Sequence, residues 1–206
     1  MTNYLLIPDG LRRFARSRSI EYYDNYVSGG RKALADAEFL LQSHSIVGVF
    51  PLAKYNLERD PADVEALLTG LQFALEEYVA VSDRNIVVIG DTIALTERCP
   101  AFRRVLESCD VNPHARGTLS VTTGSLVIYL CYDGLEYVSS ILNRFTIAEI
   151  RTSLLRWDWV YRTGCEQRHF RFSALLLGSE QARLECTDRL FQEVSVHEIA
   201  SAFVDR

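Results

Sequence analysis

Two short segments of the chain gather side chains able to grip an anion. The first is Pro8-Asp9-Gly10-Leu11-Arg12-Arg13-Phe14-Ala15. It follows an apolar run, Tyr4–Ile7, and leads into a helix start. A strand end, a glycine and a helix start together present free backbone N–H groups and a positive helix end. Asp9 can hold a hard cation such as Mg2+, and Arg12 or Arg13 can add a charge-assisted bond to phosphate oxygen. Taken alone, the same residues read equally well as a turn aspartate and two solvated arginines. Two Arg-Arg pairs occur, the other at Arg103-Arg104, about as many as chance gives this arginine content. Only the position after a strand and a glycine carries information. The second segment runs from Asp158 to Arg168, DWVYRTGCEQR. Again a strand leads into Arg, Thr and Gly, and Arg162 and Arg168 flank the glycine turn. Two such elements at neighbouring strand ends would let two phosphate groups lie side by side.

Composition limits what these segments can serve. The chain has 206 residues, 48% hydrophobic and 24% charged, which is the make-up of one globular domain with a sizeable core. One domain over 1–206 is the simplest reading, because no linker, repeat or low-complexity stretch interrupts it. The net charge is −5 and the pI about 5.4, so a general nucleic-acid-binding surface is not expected. The cations are 20 Arg against two Lys, Lys32 and Lys54. Arginine is the side chain whose flat, permanently charged fork best fits phosphate. No apolar stretch is long enough for a transmembrane helix and no signal peptide is visible, so no stable membrane insertion is expected. The five Cys are scattered, odd in number and without a CxxC pair. They indicate reduced thiols in a cytoplasm rather than a zinc site or a disulfide framework.

Several site types are absent. There is no GxxxxGK[ST] loop, no GxGxxG, no HExxH, no GxSxG elbow and no Asp-Asp pair. The last absence removes the aspartate-rich metal motif of helical prenyl synthases.

The elements that must position the two segments read as alternating strands and helices. Tyr4–Ile7, Ile46–Leu52, Ile86–Ile89 and Leu126–Cys131 are short, rich in β-branched and aromatic residues, and bounded by Gly, Pro, Asn or Asp. Trp157–Tyr161 is a fifth candidate, and Thr118–Thr122 an extension of the fourth. Helical patterns cover Arg31–Gln42 and Pro61–Val79, the latter with Asp60 as cap and Pro61 in the first turn. Weaker ones cover Leu95–Leu106, Leu135–Phe145 and Val196–Val204. The expected fold class is therefore α/β, a mostly parallel central sheet surrounded by helices. Ligands in such sheets bind beyond the carboxyl ends of the strands.

At these positions the sequence resembles the cis-prenyltransferase (undecaprenyl diphosphate synthase-like) family, with matches in order from end to end. Ile7 to Ala15 resembles the family's MDGNxRWA. Asn56 with Arg59-Asp60-Pro61-Ala62-Asp63-Val64 is similar to ENWxRPxxEV, and Val88-Ile89-Gly90-Asp91 to VIGD. Tyr132-Asp133-Gly134 is similar to NYGG, Asp158–Arg168 to DLxIRTxGExR, and Thr187–Phe191 to FTDxLWP. The resemblance implies a usually homodimeric enzyme that takes isoprenoid diphosphates with Mg2+ and houses the growing chain in an apolar tunnel. Phe50, Pro51, Phe73 and Leu126 are candidate tunnel walls. Carried over by position, Asp9 is the Mg2+ and catalytic residue. Gly10, Leu11, Arg12 and Arg13 hold the allylic diphosphate, and Asn56 assists proton removal. Arg162 and Arg168 hold the second diphosphate, and Ser173 stands for the serine after the last motif arginine.

The departures are as informative. The motif Asn is Leu11, its Trp is Phe14, the downstream His falls on Tyr26 and the preceding Arg near Tyr22. The Arg after NYGG is Leu135, and the late Glu falls on Arg183, with Glu180 or Glu185 as substitutes. Leu followed by a double Arg, with Tyr for His, resembles the small-product lavandulyl and cyclolavandulyl diphosphate synthase branch. That branch implies head-to-middle coupling of dimethylallyl or geranyl diphosphate. The alternatives are a terpene cyclase or diphosphate lyase on the same fold, and a regular head-to-tail cis-prenyl synthase. A degenerate partner subunit is disfavoured by the retained phosphate-gripping residues. Tyr22, Tyr23 and Tyr26 can line a cation through their ring faces or simply pack a helix.

Overall fold

The computed structural model describes residues 2–112, 121–134, 136, 155–164, 179 and 181–203. Seven strands form one sheet: β1 Asn3–Ile7, β2 Ile46–Val49, β3 Ile86–Ile89, β4 Asp110–Asn112, β5 Ser125–Tyr129, β6 Trp159–Arg162 and β7 Arg183–Cys186. Their order is β4-β3-β5-β2-β1-β6-β7, and every pairing is parallel. The apolar runs behave as parallel strands should: β1, β3 and β5 are buried along nearly all of their length. The two strands that the sequence does not announce, β4 and β7, are the edges. One is three residues long and the other is polar and half exposed, so neither carries a hydrophobic signature.

Six helices are described: α1 Leu11–Arg18, α2 Tyr22–Leu41, α3 Pro61–Val81, α4 Thr92–Arg98, α5 Phe102–Glu107 and α6 Val196–Ser201. α3 begins as read, with the Asp60 carboxylate accepting the Ala62 N–H and Pro61 at its first position. α2 starts nine residues before the expected Arg31, running through Gly29 and Gly30. Glycine in a helix interior costs about 0.5–1 kcal/mol against alanine. Packing explains it here. A Cβ at Gly29 would sit 2.6 Å from Leu11 Cδ2, and one at Gly30 would sit 2.8 Å from the Ala74 Cβ of α3. The expected helix over Leu95–Leu106 is two helices, with Pro100 between them. Val121 and Thr122 are not strand; the rest of that proposed extension, and the proposed helix Leu135–Phe145 apart from Glu136, lie outside the described residues.

Strand alternation sorts the core into two faces. Tyr4, Leu6, Val47, Val49, Val88, Leu126, Ile128 and Tyr161 face α2, α3, α5 and α6. Leu5, Ile7, Val87, Ile89, Val127 and Val160 point the other way, joined by Tyr129, Tyr132, Trp157 and Phe50. The described members of that second cluster all come from strands and loops. Among the described residues no helix is long and apolar enough to cross a membrane.

Candidate active site at the ends of strands β1 and β6

In this strand order the chain leaves β1 toward β2 on one side, while β6 lies on the other. The crevice beyond β1 and β6 is thus where connections diverge, the expected ligand position in an open parallel sheet. The described parts of both segments meet there. Ile7 and Arg162 are paired across the two strands, and the loops that follow are tied by a reciprocal pair of bonds. The Asp9 N–H donates to Thr163 Oγ1 (3.0 Å), and the Thr163 hydroxyl donates to the Asp9 carbonyl (2.9 Å).

The Asp9 carboxylate is oriented from two sides. Its Oδ1 accepts the Gly10 N–H at 2.6 Å, and its Oδ2 accepts Arg162 Nη2 at 2.9 Å. The Asp9 side chain keeps 44% of its surface exposed, against 11% for Arg162, so the acid opens onto solvent while the arginine is fixed behind it. Arg13 Nη2 donates to the Gly164 carbonyl at 2.5 Å. The early arginine and the late glycine turn therefore belong to one structure. Gly164 has φ +59°, and a Cβ there would lie 2.6 Å from Arg13 Nη2 and 2.9 Å from the Asp9 carbonyl oxygen. Only glycine satisfies both the left-handed backbone and this close approach. Gly10, at φ +99°, turns the chain from β1 into α1, and the Phe14 N–H closes the first helical bond on its carbonyl.

The carboxyl-terminal segment seals this arrangement from behind. The Gly164 N–H donates to the Arg189 carbonyl (2.7 Å), the Thr187 N–H to the Arg162 carbonyl (3.0 Å), and the Phe191 N–H to the Asp9 carbonyl (3.3 Å). Leu190 lies against Gly10. The late Thr187–Phe191 match is thus part of the site's scaffold.

The remaining sequence-derived candidates fall into three places. Leu11 opens α1; its side chain packs on Gly29 of α2 and its carbonyl accepts Asn25 Nδ2 (2.8 Å). Arg12 does not join Arg13 and Arg162. Its Nη1 lies 3.3 Å from the Asp63 carboxylate at the start of α3. Asn56 sits in the turn after β2, buried, with its Oδ1 accepting the Ala53 N–H at 2.9 Å; this bond shapes the turn. Arg168 and Ser173 lie outside the described residues. Glu185 pairs in register with Tyr161, on the sheet face opposite Arg162, so alternation turns it away from Asp9. Glu180 is outside the described residues.

The four candidate tunnel residues do not share one wall. Leu126 is buried on the helix-covered face, Phe73 is exposed on α3 beneath Arg31, and Phe50, with Pro51 next to it, lies on the second face. What sequence reading missed is the aromatic group that Phe50 belongs to. Its ring meets Tyr129 and Tyr132 edge-on, both at 6.0 Å, and Tyr129 in turn meets Trp157 at 6.2 Å. This wall shares the sheet face of Ile7, the register partner of Arg162. Period-two alternation along β5 was the available signal, since Tyr129 falls two residues after the inward Val127.

The tyrosines of α2 also separate. Tyr23 is exposed, Tyr22 accepts Arg16 Nε (2.8 Å), and Tyr26 is buried with its hydroxyl donating to Asp63 Oδ1 at 2.6 Å. Burial, with the Asp63 contact added, pushes the Tyr26 ionisation upward, so it stays a neutral phenol. Among the described residues no group of three or more His, Cys, Asp or Glu gathers as a metal cage. Among the described residues, Asp9 is the half-exposed carboxylate of the crevice. That fits a cation such as Mg2+, which commonly takes one or two protein carboxylates and completes its shell with water and substrate phosphates.

No family model matches the sequence. A curated relative from Pyrobaculum aerophilum, tritrans,polycis-undecaprenyl-diphosphate synthase (geranylgeranyl-diphosphate specific), is 26% identical over 217 residues, spanning 94% of this chain and 87% of its own length. Among solved structures, lavandulyl diphosphate synthase from Lavandula x intermedia, in complex with dimethylallyl diphosphate, superposes with a TM-score of 0.72 at 15% identity, covering 100% of this chain and 95% of its own. A probable undecaprenyl diphosphate synthase from Campylobacter jejuni gives 0.67 at 16% identity, covering 100% and 96%. The loops after β1 and β6 thus meet in one crevice of a seven-stranded parallel sheet that shares the fold of the lavandulyl and undecaprenyl diphosphate synthases, and the similarity to a polycis-undecaprenyl-diphosphate synthase over 94% of the chain supports a place in the cis-prenyltransferase family.

Proposed function

We infer that the protein condenses short allylic isoprenoid diphosphates, dimethylallyl or geranyl diphosphate, by irregular head-to-middle coupling. The observation that carries this reading is the junction of Asp9, Arg13, Arg162 and Gly164 at the β1/β6 crevice. It joins an open carboxylate, two guanidinium groups and the start of a helix without first-turn acids. Such a place attracts a diphosphate and steadies the charge that develops on it as it leaves. The small-product branch is favoured by Leu11 and Tyr26, which stand where regular synthases carry Asn and His, and by the Arg12-Arg13 pair.

In this reading Asp9 is the residue that would hold Mg2+. When bound, the cation neutralises diphosphate charge and makes that group a better leaving group. The chain's own residues do the rest. Arg13 and the loop around Gly10 hold the allylic diphosphate. Breaking its C–O bond sends the electron pair to the diphosphate and leaves an allylic cation. Arg162, with Arg168 and Ser173, holds the second diphosphate so that its double bond reaches the cation. Fixing both substrates makes the encounter effectively intramolecular. The new C–C bond shifts positive charge to the second unit. Loss of a proton, to the released diphosphate or to a base that Asn56 helps to position, restores a double bond. The aromatic wall of Phe50, Tyr129, Tyr132 and Trp157 is the surface for the hydrocarbon. A homodimer in the cytoplasm belongs to the same reading.

The test is to incubate the protein with Mg2+ and dimethylallyl or geranyl diphosphate, with and without isopentenyl diphosphate, and to identify the alcohols after phosphatase treatment. Branched products without isopentenyl diphosphate support irregular coupling. Linear products that require isopentenyl diphosphate identify a regular head-to-tail synthase. Release of inorganic diphosphate and a hydrocarbon or alcohol from one substrate identifies a cyclase or lyase, the outcome that the changed Leu11, Tyr22 and Tyr26 would also accommodate. No consumption of any diphosphate defeats the reading.

A further inference from the structure

One charged group lies beside the crevice and is absent from the mechanism above. Asp63, in the first turn of α3, is 4% exposed. Its Oδ1 accepts the Tyr26 hydroxyl at 2.6 Å; its Oδ2 lies 3.3 Å from Arg12 Nη1 and 3.8 Å from Arg59 Nη1. These partners come from three different elements: α1, α2 and the turn ahead of α3. A buried carboxylate is tolerated only when charge and hydrogen bonds surround it, and here both are supplied. The two guanidinium groups are in a different state from the acid. The Arg12 side chain keeps 40% of its surface and that of Arg59 25%. Each is therefore held by one end and open at the other. Arg12 shares the first turn of α1, the helix that leaves the crevice after Gly10, with Arg13, which reaches Gly164.

We propose that Asp63 is a positioning residue for the diphosphate cradle, anchoring Arg12 and Arg59 so that their free N–H groups face the substrate. The proposal rests on the diphosphate-binding reading of the crevice. The Tyr26 hydroxyl fills the carboxylate's other oxygen and locks the anchor to α2, whose ionisation behaviour agrees: burial and the Asp63 contact keep the phenol neutral. The sign of the effect separates this role from simple attraction. Removing the negative charge at position 63 makes the neighbourhood more positive, so resting affinity for a diphosphate does not fall. What falls is turnover, because arginines that lose their anchor no longer meet the leaving group in register, and small misplacements cost large factors in rate.

The experiment uses the full chain and compares wild type with Asp63→Asn, Asp63→Glu and Tyr26→Phe. Pyrophosphate affinity with Mg2+ is measured by calorimetry, turnover on the active allylic diphosphate in the coupled assay, and Tm by thermal melting. Asp63→Asn is expected to lower kcat by about 10- to 100-fold, with the pyrophosphate Kd unchanged or tighter and a Tm well above assay temperature. Asp63→Glu restores the anchor and recovers kcat to within about fivefold of wild type, and Tyr26→Phe, which removes the tie to α2 but leaves both guanidinium contacts, costs less than Asp63→Asn. If Asp63→Asn melts too low, the double variant with Tyr26→Phe, which removes the buried hydroxyl facing the new amide, carries the same comparison. A kcat within twofold of wild type for Asp63→Asn overturns the proposal. So does a kcat loss that Asp63→Glu fails to recover. A wild-type chain that neither binds pyrophosphate nor consumes any allylic diphosphate overturns the diphosphate reading itself, and the role of Asp63 with it.

Discussion

Two places at the carboxyl edge of the sheet gather acids and bases, and they do opposite things with them. Beyond β1 and β6, one half-exposed acid, Asp9, meets Arg162 and the loop held by Arg13. Beyond β2, β3 and β5, one cation, Lys54, lies between Asp91 (3.0 Å) and Glu136 (2.6 Å). The hydrogen bond to Glu136, and then Asp91, raise the Lys54 ionisation, and Asp91 is further occupied in accepting the Ala94 N–H that caps α4. Among the described residues the first place joins two guanidinium groups, Arg13 and Arg162, with one carboxylate, and the second joins two carboxylates with one ammonium. Similar residue types thus form two places that differ in the balance of their described charges. The balance of charge, more than the presence of charged residues, is what would draw an anion to one of them in the proposed function.

Substitutions that push the two places toward or away from each other rank as follows. The largest effect belongs to Asp9→Ala. It removes the carboxylate that faces the crevice, and turnover is expected to fall by about 10³-fold or more, with folding retained because the acid is half exposed; circular dichroism and steady-state kinetics check both. Near-normal activity would place Asp9 with the Lys54 cluster as a structural charge. Next comes Gly164→Ala. A side chain at φ +59° and 2.6 Å from Arg13 Nη2 must shift the arginine or the turn, with a cost of order 1–3 kcal/mol and a loss of about 10- to 100-fold in kcat/KM. A fully active alanine variant would show that the tie between Arg13 and the late turn is dispensable. The smallest effect is expected for Lys54→Met. Its ion pairs are about one-third or more exposed, so the stability change is within about 1 kcal/mol, and kcat stays within about threefold of wild type. A large kinetic loss there would erase the distinction between the two places.

The strands were largely legible along the chain because buried parallel strands are continuous apolar runs, and β3 was bounded as read. The edge strands β4 and β7 were not, because an edge carries no such run. Helix α2 extends beyond the amphipathic stretch Arg31–Gln42 because Leu11 and Ala74 fill the space beside Gly29 and Gly30, a contact no local pattern displays. Within the site, Asp9, Gly10, Arg13, Arg162 and Gly164 were visible through glycine punctuation after strands and the order of motifs. The aromatic wall was hidden because its members are spread from Phe50 to Trp157 and only the sheet face unites them.

Local chemistry alone determined that this chain builds a mostly parallel α/β sheet and carries two arginine-and-glycine turns after strands, since strand propensity and turn formation act over a few neighbouring residues. Tertiary structure decided which arginines serve together. Arg12 and Arg13 are adjacent in sequence, yet successive positions on a helix point about 100° apart, so one reaches Asp63 and the other Gly164. Contacts spanning 51 and 151 residues follow from how α1 sits against α3 and β6, and no local pattern encodes that packing.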